Sequence, residues 1–246
     1  MKKPVTLYIL LLALSIGVLF LLNLFLGSVD IPFRSIWNIL LGMDEGESVI
    51  WQNIIWKSRV PQALTAMVAG AGLAVSGLQM QTVFRNPLAG PSVLGISSGA
   101  SLGVAFVVLL SGSIGGIALS RLGFMGEIAL TMAAIIGALS IMALIVYVSQ
   151  KVHGNVTLLI IGVMIGYVAN AVIGVLKFFS VEEDIRAYVI WGLGSFARVS
   201  GNQMMVFVCI MAVLLPLSFL LIKTLNLLLL GDSYARNLGL NIKRAR

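Results

Sequence analysis

Catalysis needs a nucleophile beside a base, or ligands grouped around a metal, and this chain spaces neither. His153, the one histidine, lies in a short basic loop next to Lys151. Cys209, the one cysteine, lies in an apolar run, so an internal disulfide is impossible and no Cys/His metal set forms. No Gly-x-x-x-x-Gly-Lys-Ser/Thr stretch offers a phosphate cradle. No acid falls near the middle of a long apolar run, which leaves out the midplane carboxylate that ion-coupled carriers use. These residues predict no enzyme activity, no cofactor and no metal.

Two short segments carry chemistry of a mechanical kind. Arg85-Asn86-Pro87-Leu88-Ala89-Gly90-Pro91 ends one helix sharply and delays the next, which then opens on Leu94-Gly95-Ile96-Ser97-Ser98-Gly99-Ala100. Arg85 is placed to complement the dipole at the end of that first helix. The second segment is Gly231-Asp232-Ser233-Tyr234-Ala235-Arg236-Asn237-Leu238-Gly239-Leu240-Asn241. Asp232 is expected to cap a short helix, Gly239 to end it in the left-handed conformation, and Asn241 to cap another. Tyr234 and Leu238, four apart, share a face. Such a helix either lies amphipathically at a lipid interface or docks as a knob into a partner's groove.

The elements that must hold these segments are long and apolar. Of the 246 residues 59% are hydrophobic and 10% charged. A soluble chain of this size lacks the polar cover for so much apolar surface, so the composition points to a bilayer. Six runs stand out: Leu7–Leu26, Gln62–Phe84, Val93–Leu110, Phe124–Gln150, Val156–Ser180 and Met204–Lys223. Each reaches roughly the 18 residues that span a hydrocarbon core, and none alternates as a strand would. The expected fold is therefore all-α, a polytopic transmembrane bundle. Leu7–Leu26 follows Lys2 and Lys3 and reads as an uncleaved first helix, since no small-x-small cleavage site follows it.

The net charge of +7 would suggest nucleic acid in a soluble protein, but here the charges lie in loops between apolar runs, where they set topology. With the N-terminus in the cytoplasm, Lys2, Lys3, Arg85, Lys151, Lys223, Arg236, Lys243, Arg244 and Arg246 lie inside. Arg34, Lys57, Arg59, Arg121, Arg186 and Arg198 lie outside, with most of the acids. That excess is in the direction of the positive-inside rule. The longest loop, 27–61, holds Trp37, Trp51 and Trp56, which suit an outer interfacial segment.

Small residues recur every four positions: Gly95, Gly99 and Gly103 on one side of the third run, and Gly162, Gly166, Asn170 and Gly174 on the fifth. Such stripes let helices approach closely in lipid, and they also suit helices lining a conduit. Asn170 within a span serves either as interhelical glue or as a water-facing group on a path.

At these segments the chain resembles the FecCD-type permease family, the membrane subunits of ABC importers for ferric siderophores, haem and vitamin B12. The likeness begins at Ser58-Arg59-Val60-Pro61-Gln62 and continues through Gly70-Ala71-Gly72-Leu73-Ala74-Val75-Ser76-Gly77. It is strongest at Arg85–Ala89 and Leu94–Ala100, and closes on Leu230-Gly231-Asp232 and Ala235–Gly239. Gln62 departs from the family, which often has a second arginine there.

The resemblance implies a type II ABC importer permease in the cell inner membrane, with ten helices of which 1–246 supplies six. It further implies a permease dimer, two ATPase subunits inside and a periplasmic or lipid-anchored binding protein outside. It makes 226–246 the coupling-helix region, with Gly231, Asp232, Ala235, Leu238 and Gly239 as the lever. It assigns Arg59 to docking of the binding protein; Gly95, Ser97, Ser98, Gly99, Gly103 and Asn170 are expected, from their spacing, at the translocation path or in helix packing. Arg85, Asn86 and Pro87 form a cytoplasmic loop motif. Membrane lipids are expected partners and nucleic acid is not. A secondary transporter is the competing expectation; it would run on an ion gradient without an ATPase.

Overall fold

The computed structural model describes residues 5–43, 46, 48–115, 124–152 and 154–242. His153 and the charges at Lys2, Lys3, Asp44, Glu45, Glu47, Arg121, Lys243, Arg244 and Arg246 lie outside the described residues, as does the side chain of Asp232. Among the described residues the regular elements are all helices, without strands: α1 (Val5–Phe25), α2 (Phe33–Leu40), α3 (Val49–Ile54), α4 (Val60–Phe84), α5 (Ile96–Gly115), α6 (Phe124–Ser149), α7 (Asn155–Phe178), α8 (Glu182–Gly192), α9 (Gly201–Ser218), α10 (Ile222–Leu229) and α11 (Asp232–Asn237).

Five stretches are long and apolar enough to cross a bilayer: Val5–Phe25, Val49–Phe84, Met125–Ser149, Val156–Phe178 and Gly201–Leu229. They match five of the six expected runs; the remaining run, Val93–Leu110, corresponds to α5, whose apolar stretch Ile96–Leu110 is shorter. α5 begins three residues later than the run at Val93 because Gly95 stands at φ +73°, a left-handed turn that no helix passes through. The apolar surface left on α1, with Leu10, Leu12, Leu14 and Leu19 all exposed, suits lipid rather than water. This is a multi-pass helical membrane protein.

The chain divides into two compact units. The first combines Met1–Gly72 with Ser195–Leu215. Its core is Ile31, Ile36, Ile39 and Ile55, with Phe25 and Trp51 packed against them. Among its described residues, the loop expected between the first two spans therefore packs around a core of its own. Phe25 stacks on Phe33 at 4.5 Å, and Trp37 leans on both rings. The second long helix starts well before Gln62. α3 runs through a π-helical turn at Ile55–Arg59 directly into α4, the Val60 N–H bonding back to the Ile55 carbonyl. Pro61 has no N–H to donate, and the wider turn just before it accommodates that gap in the ladder.

The second unit combines Leu73–Gly194 with Pro216–Arg246. α5 is its innermost helix: Val104, Ala105 and Leu109 are fully buried, packed with Ala133 of α6, Ile173 of α7 and Tyr188 of α8. A second cluster joins Phe84, Ala89, Leu94, Ile145 and Leu159, so the turn after α4 is anchored in apolar packing. Pro216 sits inside α9 and is followed by a 3₁₀ turn at Phe219–Leu221 before α10. Pro216 has no N–H to give the carbonyl four residues earlier, a gap in the α9 ladder just before the 3₁₀ turn.

Candidate functional site

The end of α4 and the α10–α11 corner meet through one arginine. α4 closes with two bonds: the Arg85 N–H to the Thr82 carbonyl at 3.3 Å and the Asn86 N–H to the Gln81 carbonyl at 3.1 Å. This double closure requires a left-handed residue, and Arg85 takes that conformation at φ +51°. Glycine is the usual occupant; a side chain there costs about 1–2 kcal/mol. Among the described residues it is the one non-glycine at positive φ. The Arg85 Nε–H then donates to the Leu228 carbonyl at 3.0 Å. A bond from a charged donor contributes about 1.5–3 kcal/mol, enough to offset the backbone cost. Asn86 Oδ1 accepts the Leu88 N–H at 2.9 Å and so stiffens the turn before Pro87 and Ala89.

Leu228, 1% exposed, lies in the last turn of α10. Its carbonyl also accepts the Gly231 N–H at 3.3 Å. Gly231, at φ +110°, is the N-cap of α11, and its carbonyl accepts the Ala235 N–H at 2.8 Å. Asp232, expected as the cap, is instead the first helical residue, because the left-handed Gly231 makes the corner. Gly239 ends α11 as expected, at φ +86°. Its N–H bonds to the Arg236 carbonyl at 2.9 Å, and the Leu240 N–H to the Ala235 carbonyl at 3.0 Å. α11 is thus closed at both ends. Ala235 faces inward, fully buried, while Tyr234 and Leu238 stand out, 57% and 56% exposed. Tyr234 and Leu238 together make the exposed face of α11.

The small-residue stripe divides between neighbours rather than facing one. A methyl at Gly95 would lie 2.9 Å from the Gly162 carbonyl of α7. A methyl at Gly99 would lie 2.7 Å from the Gly137 carbonyl of α6, and one at Gly103 would strike the Ala133 carbonyl. On α7, Gly162 meets Leu94 and Gly166 meets Ser98, whereas Gly174 has open space. The division arises because Gly95 lies in the turn before α5, out of register with the helical glycines. Beside this contact runs a groove of about 320 Å³ lined by Ser92, Gly95, Ser98, Gly166, Tyr167 and Asn170. Asn170 and Ser97 are exposed.

Arg59 is placed otherwise than docking would require. It is 5% exposed, and its guanidinium donates to carbonyls of its own chain: Nη1 to Leu24 at 2.6 Å and Phe25 at 3.2 Å, Nη2 to Val29. It closes the C-terminus of α1, whose last carbonyls have no helical partners. The π turn aims the side chain inward, and Gly27 leaves room, since a methyl there would lie 2.7 Å from Nη2.

Sequence reasoning also passed over α8. Its signal was the acidic first turn of Glu182, Glu183 and Asp184 before Ile185, Tyr188 and Trp191, spaced for a helix with one apolar face. Asp184 is buried, and its Oδ2 has no hydrogen-bond partner among the described residues. Burial raises its carboxyl above the ordinary range, and the neighbouring Glu183 adds to the shift. Among the described residues no group of His, Cys, Asp or Glu is arranged to hold a metal ion.

A packed turn wired to an exposed, doubly closed helix, in an all-helical membrane protein, has clear relatives. Residues 12–246 match the FecCD transport family. The chain belongs to that family. The hemin transport system permease protein of Yersinia pestis is 35% identical over 90% of this chain and 63% of its own length. A vitamin B12 import system permease protein of Serratia proteamaculans is 36% identical over 96% and 64%. A probable iron chelatin transport system permease protein of Helicobacter pylori is 38% identical over 76% and 53%. This FecCD-family chain therefore spans less than two thirds of the length of these relatives. A solved inward-facing structure of a metal-chelate type ABC transporter is 28% identical and superposes with a TM-score of 0.74, covering 98% of this chain and 70% of the other.

Proposed function

We propose that this chain is part of the membrane permease of a binding-protein-dependent ABC importer, carrying a metal chelate across the cell inner membrane. Separate ATPase subunits supply the energy. Its N-terminus lies in the cytoplasm, two copies form the path between them, and a periplasmic or lipid-anchored binding protein delivers the cargo. The cargo is an iron siderophore, with haem and cobalamin as alternatives of the same bulky, metal-centred class. The three relatives are named for hemin, vitamin B12 and iron chelatin, which supports that class.

One observation carries the coupling role. α11 is too short to hold itself, yet it is closed at both ends, seated on the buried Ala235, and presents Tyr234 and Leu238 outward. A rigid apolar knob on a helix corner suits a groove in a motor subunit. The region 226–246, with Gly231, Asp232, Ala235, Leu238 and Gly239, is the lever, and closure of the ATPase pair would tilt the helices attached to it. The helix-packing surface at Gly95, Ser97, Ser98, Gly99, Gly103 and Asn170 borders the path.

The test is Leu238→Asp in the full-length complex. Uptake of labelled ferric chelate and substrate-stimulated ATP hydrolysis should both fall at least tenfold, with membrane insertion unchanged. Normal uptake would overturn the lever. Labelled hemin and cobalamin offered in parallel to a deletion strain would separate the cargoes.

A further inference from the structure

We propose that Arg85 is a positioning residue that joins the second long helix to the α11 lever and passes movement between them. The inference rests on the importer reading above. Its observation is separate: an arginine occupies a left-handed position that glycine fills without strain, and its side chain bonds across 143 residues of sequence to Leu228.

Glycine would satisfy the backbone of this turn, so what arginine adds lies in its side chain. Nε reaches the Leu228 carbonyl, and the guanidinium places positive charge at the C-terminal end of α10, where the helix dipole favours it. The same carbonyl accepts from Gly231, and the Gly231 carbonyl accepts from Ala235. A continuous chain of bonds thus runs from the α4 terminus through Arg85, Leu228 and Gly231 to the first turn of α11. At the α4 end, Ala89 and Leu94 pack with Phe84, Ile145 and Leu159, so the turn is set firmly among α4, α6 and α7. Displacement of α11 by a motor subunit would then reach α4 through a buried carbonyl rather than through the exposed linker alone. Lysine lacks the Nε that makes this bond, and asparagine adopts the left-handed turn but cannot reach.

The test compares Arg85→Gly and Arg85→Asn with the parent in the full-length complex with its ATPase. Both variants keep a residue that tolerates the left-handed turn. In Arg85→Gly the lost side-chain bond is offset by relief of the backbone cost, so insertion, thermal stability and ATPase co-purification of that variant should stay near the parent. The ratio of substrate-stimulated to basal ATP hydrolysis should fall toward one, and uptake about tenfold. In a Cys209→Ser background, spin labels at Gln81→Cys and Ser233→Cys should give a narrow distance distribution that broadens when Arg85 is replaced.

Two results would overturn the inference. One is parental stimulation with unchanged distance widths. The other is joint loss of stability and ATPase association, which would mark Arg85 as a structural staple only. If the parent complex itself binds no ATPase, the importer reading falls first and takes the strut with it.

Discussion

Arg59 and Arg85 perform the same physical task at two helix ends. Each spends guanidinium N–H groups on main-chain carbonyls at a helix C-terminus, Arg59 on α1 and Arg85 on α10. Final-turn carbonyls have no helical donors, and in a lipid environment water is a poor substitute. Replacing Arg59 by alanine strands three carbonyls and should cost on the order of 3 kcal/mol. Denaturant unfolding of the purified protein in detergent reads this directly. Gly27→Ala should cost less, since the guanidinium tip can shift. If Arg59 served docking instead, Arg59→Ala would weaken binding-protein affinity and leave unfolding unaltered.

At the scale of elements, α5 and α6 approach until backbone meets backbone. Gly99 and Gly103 of α5 face Ala133 and Gly137 of α6, with no room for a methyl group. With lipid on one side and protein on the other equally apolar, close van der Waals contact of this kind drives association. Gly103→Ala should therefore destabilise by about 1–3 kcal/mol, despite the better helix propensity of alanine. Gly174→Ala, on α7 with open space, should be neutral or slightly stabilising. Thermal melts of the two variants in one detergent make the comparison. Equal melting temperatures would mean that α5–α6 contact is not the packing determinant.

For the whole molecule, orientation decides which surface meets which partner. The proposed arrangement puts α11 and the Arg85 turn in the cytoplasm and Lys57 outside. In a Cys209→Ser background, a cysteine at Ser233 should react with an impermeant maleimide only in inside-out vesicles. A cysteine at Lys57, which is exposed, should react only in intact cells with a permeabilised outer layer. Reversed labelling would place the knob away from any cytoplasmic motor and end the coupling proposal.

Much of this was written along the chain. Five of the six expected runs are membrane-length helices, because run length is a one-dimensional quantity, but the second begins at Val49 rather than Gln62 and the last extends to Leu229. The Gly239 closure and the shared face of Tyr234 and Leu238 were legible too, because both depend on neighbours five or fewer residues away. The destinations of the arginines were not. Arg59 meets Leu24 across 35 residues and Arg85 meets Leu228 across 143, and no local pattern encodes such pairings. The same holds for the glycines: spacing marks a small face, but only packing decides that Gly103 has a neighbour and Gly174 has none. Local geometry thus came from the sequence itself, while the wiring between elements came from tertiary structure, because contact between distant residues depends on how whole helices settle against one another.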